Sequence, residues 1–280
     1  MRFGFHVSIA GGFTKAAQRA RKLQCRTVQI FSHNPRGWSC KTLNEKDVSA
    51  FKESLAAWDI KPLIVHMPYL PNPASPDKKL YEKSVCFLSE NLTRAHSLGA
   101  QALVAHPGSC GTGSPDDAIK RISTALSRAI EQADVPVRVL LENTAGQGTE
   151  LGCTFSQLMR ILEGIPRDKR VGICLDTAHA FAAGYDMASS DGLEKTLREL
   201  DTCIGIDRLH VLHLNDAKAP CGSHSDRHWH IGRGHIGLAG FRRIVNHRLL
   251  RHLPGIMETP KKEDNDDFQN MLTITGLVAP

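Results

Sequence analysis

The sequence predicts an α/β protein in which eight βα units form one domain over residues 1–280. Eight short apolar runs recur along the chain, and each is followed by a longer amphipathic stretch, which is the pattern of parallel strands joined by helices. The runs are continuously apolar rather than alternating, as in strands that are covered on both faces. Eight such units in roughly 250 residues fit a closed (β/α)₈ TIM barrel better than an open doubly wound sheet.

Each element has its own local signal. The predicted strands cover residues 2–6, 27–31, 62–66, 102–106, 137–142, 171–176, 209–214 and 255–258. The predicted helices cover residues 11–23, 44–58, 77–98, 116–132, 192–200, 239–249 and 264–272, with a further helix after Thr154. Ser114 and Pro115 suit the start of one helix, and Thr154 with Gln157 forms a capping box. The glycine fingerprint of a dinucleotide-binding fold is missing after the first strand.

Composition excludes several classes of protein. The 35 Lys and Arg against 29 Asp and Glu give a net charge of +6, which permits a nucleic-acid partner without identifying one. The eight Cys contain no C-x-x-C pair, so neither a disulfide framework nor a thiolate zinc site is predicted. No apolar run reaches the ~20 residues of a membrane span, and the first residues lack a signal-peptide core. We expect a cytoplasmic protein without membrane contact.

Six consecutive predicted strands end in residue types that bind metals. These residues are His66, His106, Glu142, Asp176, His213 and Glu258. Their spacings of 40, 36, 34, 37 and 45 residues each correspond to about one βα unit, which places all six at the carboxyl-end rim of a barrel. A polar residue at the end of one strand is ordinary, whereas six in succession indicate a site.

Three further candidates lie close to these strand ends: His179, Asp226 and His228. Five His and four carboxylates are too many for a general acid and base pair or for a single zinc ion. Four buried carboxylates would also repel one another without cations. The mixture of imidazole and carboxylate without Cys favours a borderline metal such as Zn²⁺, with Mn²⁺ or Fe²⁺ as alternatives, and nine ligands predict more than one ion.

Several motifs of this chain resemble those of the endonuclease IV family of apurinic/apyrimidinic endonucleases. They are GFHVS (4–8), HPGS (106–109), ENTAGQG (142–148), DTAHAFAAGYD (176–186), HLNDAK (213–218) and DRH (226–228). The resemblance runs from about residue 2 to about residue 260, and the last twenty residues lack a clear counterpart. It implies a xylose isomerase-like TIM barrel with three Zn²⁺ ions that cleaves duplex DNA 5′ to abasic sites.

The resemblance also implies a role for each of the nine candidates. Glu142 would bridge the first two zinc ions and serve as the catalytic residue. His66 and His106 would complete the coordination of the first ion. Asp176, His213 and Glu258 would complete that of the second, and His179, Asp226 and His228 would bind the third. A hydroxide between the first two ions would attack the phosphorus, and the third ion would neutralise the leaving 3′-oxygen. The expected products are a 3′-hydroxyl and a 5′-deoxyribose phosphate, and 3′-blocking groups would be removed at the same site.

The family pattern assigns DNA-contacting residues as well. Arg36 would enter the base stack, while Tyr69 and Leu70 would fill the gap left when the abasic sugar leaves the helix. Asn143, Asn215 and Asp216 are interpreted as groups that orient the metal ligands. The expected partner is double-stranded DNA with abasic sites or 3′-blocked ends, bound in the nucleoid by a monomer that needs no other protein.

Three positions depart from the family pattern. Arg233 stands where Glu is usual, and either contact with a phosphate or simple exposure to solvent would explain it. Pro73 replaces a usual Leu and would stiffen or redirect the loop that carries Tyr69. Ala178 replaces a frequent Cys that is not a metal ligand in the family.

Two alternatives stay open at the level of sequence. A sugar isomerase or epimerase uses a similar barrel with one ion and about four ligands, and it would leave His66, His106, Asp226 and His228 without a metal role. A DNA-damage-binding module that has lost catalysis is disfavoured, because none of the nine predicted ligands is missing.

Overall fold

A computed structural model describes residues 1–166, 170–261, 263 and 265–279, and it contains the predicted barrel. Eight parallel strands close on themselves in the order β1-β10-β7-β6-β5-β4-β3-β2. These strands are β1 (Arg2–His6), β2 (Thr27–Phe31), β3 (Leu63–His66), β4 (Ala102–Ala105), β5 (Arg138–Glu142), β6 (Val171–Asp176), β7 (Leu209–His213) and β10 (Pro254–Met257). The fold class is therefore confirmed, and the carboxyl ends of all eight strands open on one face.

Helices surround the barrel. They are α1 (Phe13–Lys22), α2 (Glu45–Ala57), α3 (Lys78–Leu98), α4 (Pro115–Ala133), α5 (Phe155–Glu163), α6 (Thr177–Ala182), α7 (Ser190–Cys203), α8 (Gly237–Asn246) and α9 (Asp266–Thr275). The predicted caps are present, because the side chains of Ser114 and Thr154 each accept a hydrogen bond from the backbone three residues later. Among the described residues, no helix is both long and apolar enough to cross a membrane.

The apolar residues form two separate cores. The larger core lies between the strands and the surrounding helices. The smaller one lies inside the barrel and consists of strand residues alone: Ile64, Ala102, Val104, Leu140, Cys174, Val211 and Ile256. Because side chains alternate along a strand, the residue two positions after an interior residue also points inward. That alternation turns the ends of six strands toward the barrel axis.

The structure differs from the sequence prediction in local detail. The short helix α6 starts immediately after β6, and Asp176 caps it by accepting a hydrogen bond from the backbone N–H of His179. A small antiparallel hairpin, β8 (Asp216–Ala217) with β9 (His228–Trp229), was not predicted either. Strands β4 and β10 end one residue earlier than predicted, so His106 and Glu258 directly follow them. Residue 264, the predicted start of the last helix, lies outside the described part of the chain.

Candidate metal centre

The structure brings all nine predicted ligands together at the open end of the barrel. His66, Glu142, Asp176 and His213 are the last residues of their strands, and each lies two positions after a residue of the interior core. His106 and Glu258 keep the same inward direction one residue beyond their strands. Four overlapping groups of these residues have ligand atoms within 4.8 Å of one another. Side chains that are about one βα unit apart in the sequence therefore lie together at one end of the barrel.

Glu142 lies in the middle of this site and is fully buried. Its Oε2 is 3.0 Å from Nε2 of His66 and 3.2 Å from Nε2 of His106. Its Oε1 faces the opposite side, 2.9 Å from Nδ1 of His213 and 3.3 Å from Nδ1 of His179. The two oxygens of one carboxylate therefore face two different sets of imidazoles, which is the arrangement that a bridging ligand needs.

A second group joins Glu142 to Asp176, His213 and Glu258. Two asparagines hold this group in place. The side-chain amide of Asn215 donates to Asp176 Oδ2 at 2.6 Å, and its oxygen accepts from the backbone N–H of Glu258 at 2.7 Å. Asn143 accepts from the backbone N–H of Asp176 at 2.7 Å. Both asparagines are buried, and both restrain ligands by direct hydrogen bonds.

The third group lies toward the rim. Nε2 of His179 is 3.2 Å from Nε2 of His228, and Asp226 Oδ1 is 3.3 Å and 3.5 Å from these two nitrogens. His179 comes from α6, whereas Asp226 and His228 belong to the β8–β9 hairpin and its loop. This group depends on the two local elements that the sequence did not predict.

The hydrogen bonds on the outer side of the imidazoles show which nitrogens are free to bind a cation. Nδ1 of His66 lies 2.6 Å from the carbonyl oxygen of Met67. Nδ1 of His179 lies 2.9 Å from the carbonyl oxygen of Asn143. Nδ1 of His228 is 3.2 Å from the carbonyl oxygen of Glu258. A carbonyl oxygen only accepts, so each Nδ1 carries the hydrogen and each Nε2 of a neutral ring presents its lone pair to the site. Two such nitrogens 3.2 Å apart, as in His179 and His228, repel unless a proton or a cation lies between them.

The charges at this centre are consistent with the same conclusion. Burial raises the pKa of Glu142, but the neighbouring His213 and His106 outweigh it and hold the pKa well below 4.5. Burial lowers the pKa of His179, yet the carboxylates of Asp176 and Asp226 hold it well above 6.5. Without metal, protons on the imidazoles supply the positive charge that the carboxylates require. The donor set therefore fits divalent cations, which can replace those protons.

Asp216 was predicted to orient the metal ligands, and in the structure its carboxylate holds the backbone beside them. It is buried, and its carboxylate accepts backbone hydrogen bonds from Ala217 at 2.8 Å, Gly234 at 2.9 Å and Ile236 at 3.0 Å. A Cβ atom on Gly234 would lie 2.4 Å from the carbonyl oxygen of Ala217, so only glycine permits this approach. Asp216 thus fixes the loop of residues 234–237 against the hairpin that carries His228.

Two residues at the centre were not among the predicted site residues. His6 closes β1, and its Nδ1 is 3.2 Å from Glu258 Oε1. Gln29 lies inside β2 and contacts both His213 and Glu258. The available signal was a polar residue inside the otherwise apolar stretch of β2, since a buried amide needs partners.

The predicted DNA-contacting residues lie in loops around the same opening. Tyr69 is 68% exposed and Leu70 is 37% exposed, although both are large and apolar. The Tyr69 ring nevertheless lies 5.5 Å from the ring of His106, so these side chains stand beside the metal centre. Arg36 is exposed in the loop after β2. Buried Arg94 of α3 donates to the carbonyl oxygen of Ser32 at 2.6 Å and so anchors the start of that loop.

The three departures from the family pattern leave the nine ligands in place. Pro73 lines a cavity of about 230 Å³ beside His106. The loop around Pro73 is fixed by Asn72, whose side chain donates to the carbonyl oxygen of Ser109 at 2.8 Å. Arg233 is exposed, and no side-chain partner is seen for it among residues 1–166, 170–261, 263 and 265–279. Ala178 is buried within α6.

Comparisons with known proteins agree with this geometry. A family model described as a xylose isomerase-like TIM barrel matches residues 17–273. The protein named probable endonuclease 4 of Methanoculleus marisnigri is 47% identical over 277 residues, which cover 99% of this chain and 98% of that protein. The solved structure of endonuclease IV from Thermus thermophilus matches with a TM-score of 0.88 at 36% identity, over 99% of this chain and 98% of that chain. A D-tagatose 3-epimerase-like protein shares the fold, with a TM-score of 0.74 and 21% identity over 99% of this chain and 97% of that one.

The fold and the site together define a xylose isomerase-like TIM barrel with a cluster of His, Asp and Glu side chains at its open end that could hold metal ions. Within that class, the chain belongs to the endonuclease IV family. The match continues past residue 260, where the comparison of motifs had ended, so the expectation that the last twenty residues lack a counterpart was wrong. The likeness to the epimerase-like protein extends to the fold alone.

Proposed function

We propose that this protein is an endonuclease that hydrolyses the phosphodiester 5′ to abasic sites in duplex DNA. The expected products are a 3′-hydroxyl and a 5′-deoxyribose phosphate, and removal of 3′-blocking groups would use the same centre. The observation that carries the proposal is the position of Glu142, whose two oxygens face separate sets of ligands. The names of the relatives, endonuclease 4 and endonuclease IV, support DNA as the substrate.

The centre would hold three divalent cations, with Zn²⁺ favoured and Mn²⁺ or Fe²⁺ compatible with the same donors. Glu142 would be a ligand of the first two ions. His66 and His106 would complete the coordination of the first ion, and Asp176, His213 and Glu258 that of the second. His179, Asp226 and His228 would bind the third. Such cations acidify water toward neutrality and stabilise negative charge on a phosphate and its leaving oxygen. An epimerase of the single-ion type would have no use for the third group.

Charge balance supports more than one cation. A phosphodiester is an anion, and the four carboxylates of the predicted ligand set would repel it. Three divalent cations contribute +6 against the −4 of these carboxylates, which leaves a centre of +2. With these cations the net charge of the chain would rise from +6 to about +12, and part of the increase would lie at the place where a phosphate would dock.

The side chains at the centre would perform distinct tasks. Glu142 is ionised and central, so it can orient the attacking water and accept its proton. Asn215 and Asn143 keep Asp176 in place and so preserve the spacing of the ligands. All nine predicted ligands come from one chain, which supports action as a monomer without an obligatory protein partner.

The rim loops would distinguish abasic DNA from intact duplex. An abasic sugar leaves the helix at a lower cost than a paired nucleotide, because no base pair breaks. The exposed side chains of Tyr69 and Leu70 can occupy the space that the sugar vacates, and Arg36 can enter the stack from the neighbouring loop. Exposed apolar side chains beside a polar centre favour this role over simple packing, because Tyr69 keeps 68% of its surface open to solvent although its ring lies beside His106.

A duplex oligonucleotide with one abasic site tests the proposal. We expect a single nick 5′ to the site, an extendable 3′-hydroxyl, and loss of cleavage when a chelator removes the cations. A duplex with a blocked 3′ end should become extendable under the same conditions. Epimerisation of a ketose with no nicking would instead support the sugar epimerase, and tight binding of abasic DNA with no nicking would support the damage-binding module.

A further inference from the structure

Gln29 connects two of the predicted metal ligands. Its side chain is fully buried inside the barrel, two residues before the end of β2. Its Nε2 donates to Glu258 Oε1 at 2.7 Å, and its Oε1 lies 2.9 Å from Nε2 of His213. One neutral amide thus contacts a carboxylate and an imidazole that belong to the same proposed cation.

The contacts determine which way the amide faces. The ionised carboxylate of Glu258 only accepts hydrogen bonds, so the NH₂ group of Gln29 has to face it. The amide oxygen then faces His213, and the 2.9 Å contact is favourable only when Nε2 of that ring carries a hydrogen. A neutral imidazole has a single N–H, so Nδ1 keeps its lone pair. Nδ1 is the atom that faces Glu142 Oε1 at 2.9 Å and Glu258 Oε2 at 3.3 Å.

His6 lies against both groups. Its Nδ1 is 3.1 Å from Gln29 Nε2 and 3.2 Å from Glu258 Oε1, and this one atom can accept from the amide or donate to the carboxylate but cannot do both. The His6 ring packs on Phe31 with 4.3 Å between ring centroids. Rotation of the Gln29 amide would therefore break the hydrogen bonds to Glu258 and His213 together.

We propose that Gln29 is a positioning residue that selects Nδ1 of His213 as the metal-binding nitrogen and orients Glu258 toward the same cation. The inference rests on the proposed function, because it assumes that this centre binds cations. Gln29 itself would touch neither the cation nor the DNA. Its effect would pass through the two ligands that it holds.

Gln29→Met provides the test, since methionine has a similar length and offers no comparable hydrogen bond. The matched control is Thr27→Val on the same strand. Thr27 is equally buried, and its hydroxyl donates to the carbonyl oxygen of Pro62 at 2.7 Å, away from the ligands. The measurement is Co²⁺ binding to the metal-free chain by competition with a chelator, together with the visible absorption spectrum of the bound Co²⁺.

The expected results separate positioning from packing. Gln29→Met should weaken binding of one Co²⁺ equivalent by about 10–100-fold and change the absorption of that ion. Thr27→Val should lower stability to urea while it keeps the wild-type affinity and spectrum. A Gln29→Met chain with wild-type affinity and spectrum would overturn the inference and leave the proposed function intact. A wild-type chain that binds no divalent cation would overturn the proposed function, and this inference with it.

Discussion

Replacement of Asp216 by Ala tests whether this buried carboxylate organises the rim next to the third group of ligands. Three backbone N–H groups, those of Ala217, Gly234 and Ile236, donate to it at 3.0 Å or less. Loss of the acceptor lowers the free energy of unfolding by about 1 kcal/mol for each N–H group that water can partly hydrate, and by more for an N–H group that water cannot reach. Asp216→Ala should therefore lower the free energy of unfolding of the metal-free protein by about 3 kcal/mol.

The substitution should also weaken one part of the metal centre more than the rest. Asp216 begins the β8–β9 hairpin, in which Ala217 pairs with His228. When the loop of residues 234–237 is released, His228 and Asp226 lose support, while Glu142 and its strand remain in place. Cations should then leave the third group first as a chelator is added.

Urea unfolding and metal content under chelator titration measure these two effects. The free energy of unfolding of Asp216→Asn should lie between those of wild type and Asp216→Ala. The asparagine amide keeps one acceptor but turns an NH₂ group toward a backbone donor. Glu131→Ala, which removes an exposed carboxylate of α4, serves as the control and should stay within about 0.5 kcal/mol of wild type. An Asp216→Ala chain with unchanged stability and an unchanged order of metal loss would refute the reasoning.

Four further variants test separate parts of the account. Glu142→Gln should reduce nicking by at least about 10³-fold while binding of abasic DNA stays measurable in a gel-shift assay, because the shared carboxylate charge is lost. Changing both Tyr69 and Leu70 to Ala should weaken binding to abasic duplex by about tenfold, with a smaller effect on intact duplex. Arg233→Glu should lower the salt dependence of DNA binding by about one unit of slope, as loss of one phosphate contact would. Asp47→Ala should cost about 2 kcal/mol at pH 7 in urea unfolding, because Asp47 accepts three hydrogen bonds at the start of α1.

The Asp47 prediction has a defined pH dependence. Hydrogen bonds from Thr14 and Phe13 outweigh burial and hold the pKa of Asp47 below 3.8. A carboxyl group with a depressed folded-state pKa stabilises the fold above its unfolded pKa, and this contribution disappears as the pH falls through the folded value. The difference between wild type and Asp47→Ala should thus be constant above about pH 4.5 and shrink at lower pH.

Each of these predictions has an outcome that contradicts it. Near-normal cleavage by Glu142→Gln would remove the bridging role. Equal losses of affinity on abasic and intact duplex would exclude insertion of Tyr69 and Leu70. An unaltered salt slope would mean that Arg233 lies in solvent, and a pH-independent cost at Asp47 would show that its charge is not what stabilises α1.

The strand ends could be predicted from the sequence because one physical rule covers them all. A run of apolar residues that closes in His, Asp or Glu points its last inward side chain at the barrel axis, as Glu142 does. The rule does not apply to Gln29, because this residue lies inside its strand. Only its hydrogen-bond partners show that it belongs to the site. Those partners, His213 and Glu258, are brought to it by closure of the barrel and not by nearness in sequence.

The third group of ligands shows another limit of sequence reasoning. Asp226 and His228 lie in the long loop after β7, so the sequence marked them as candidates near a strand end but gave no position for their side chains. Their assignment to a third ion came from the family resemblance. The β8–β9 hairpin that positions His228 has two residues in each strand. Elements that short carry no periodic signal, and their stability comes from tertiary contacts such as those of Asp216.

The number of divalent cations bound per chain tests the central claim most directly. Elemental analysis of the protein purified without chelator should be paired with nicking of a duplex that contains one abasic site. We expect three cations per chain, loss of nicking when they are removed, and recovery when Zn²⁺ or Mn²⁺ is restored. A single cation per chain, or nicking that persists in fully metal-free protein, would contradict the proposed centre.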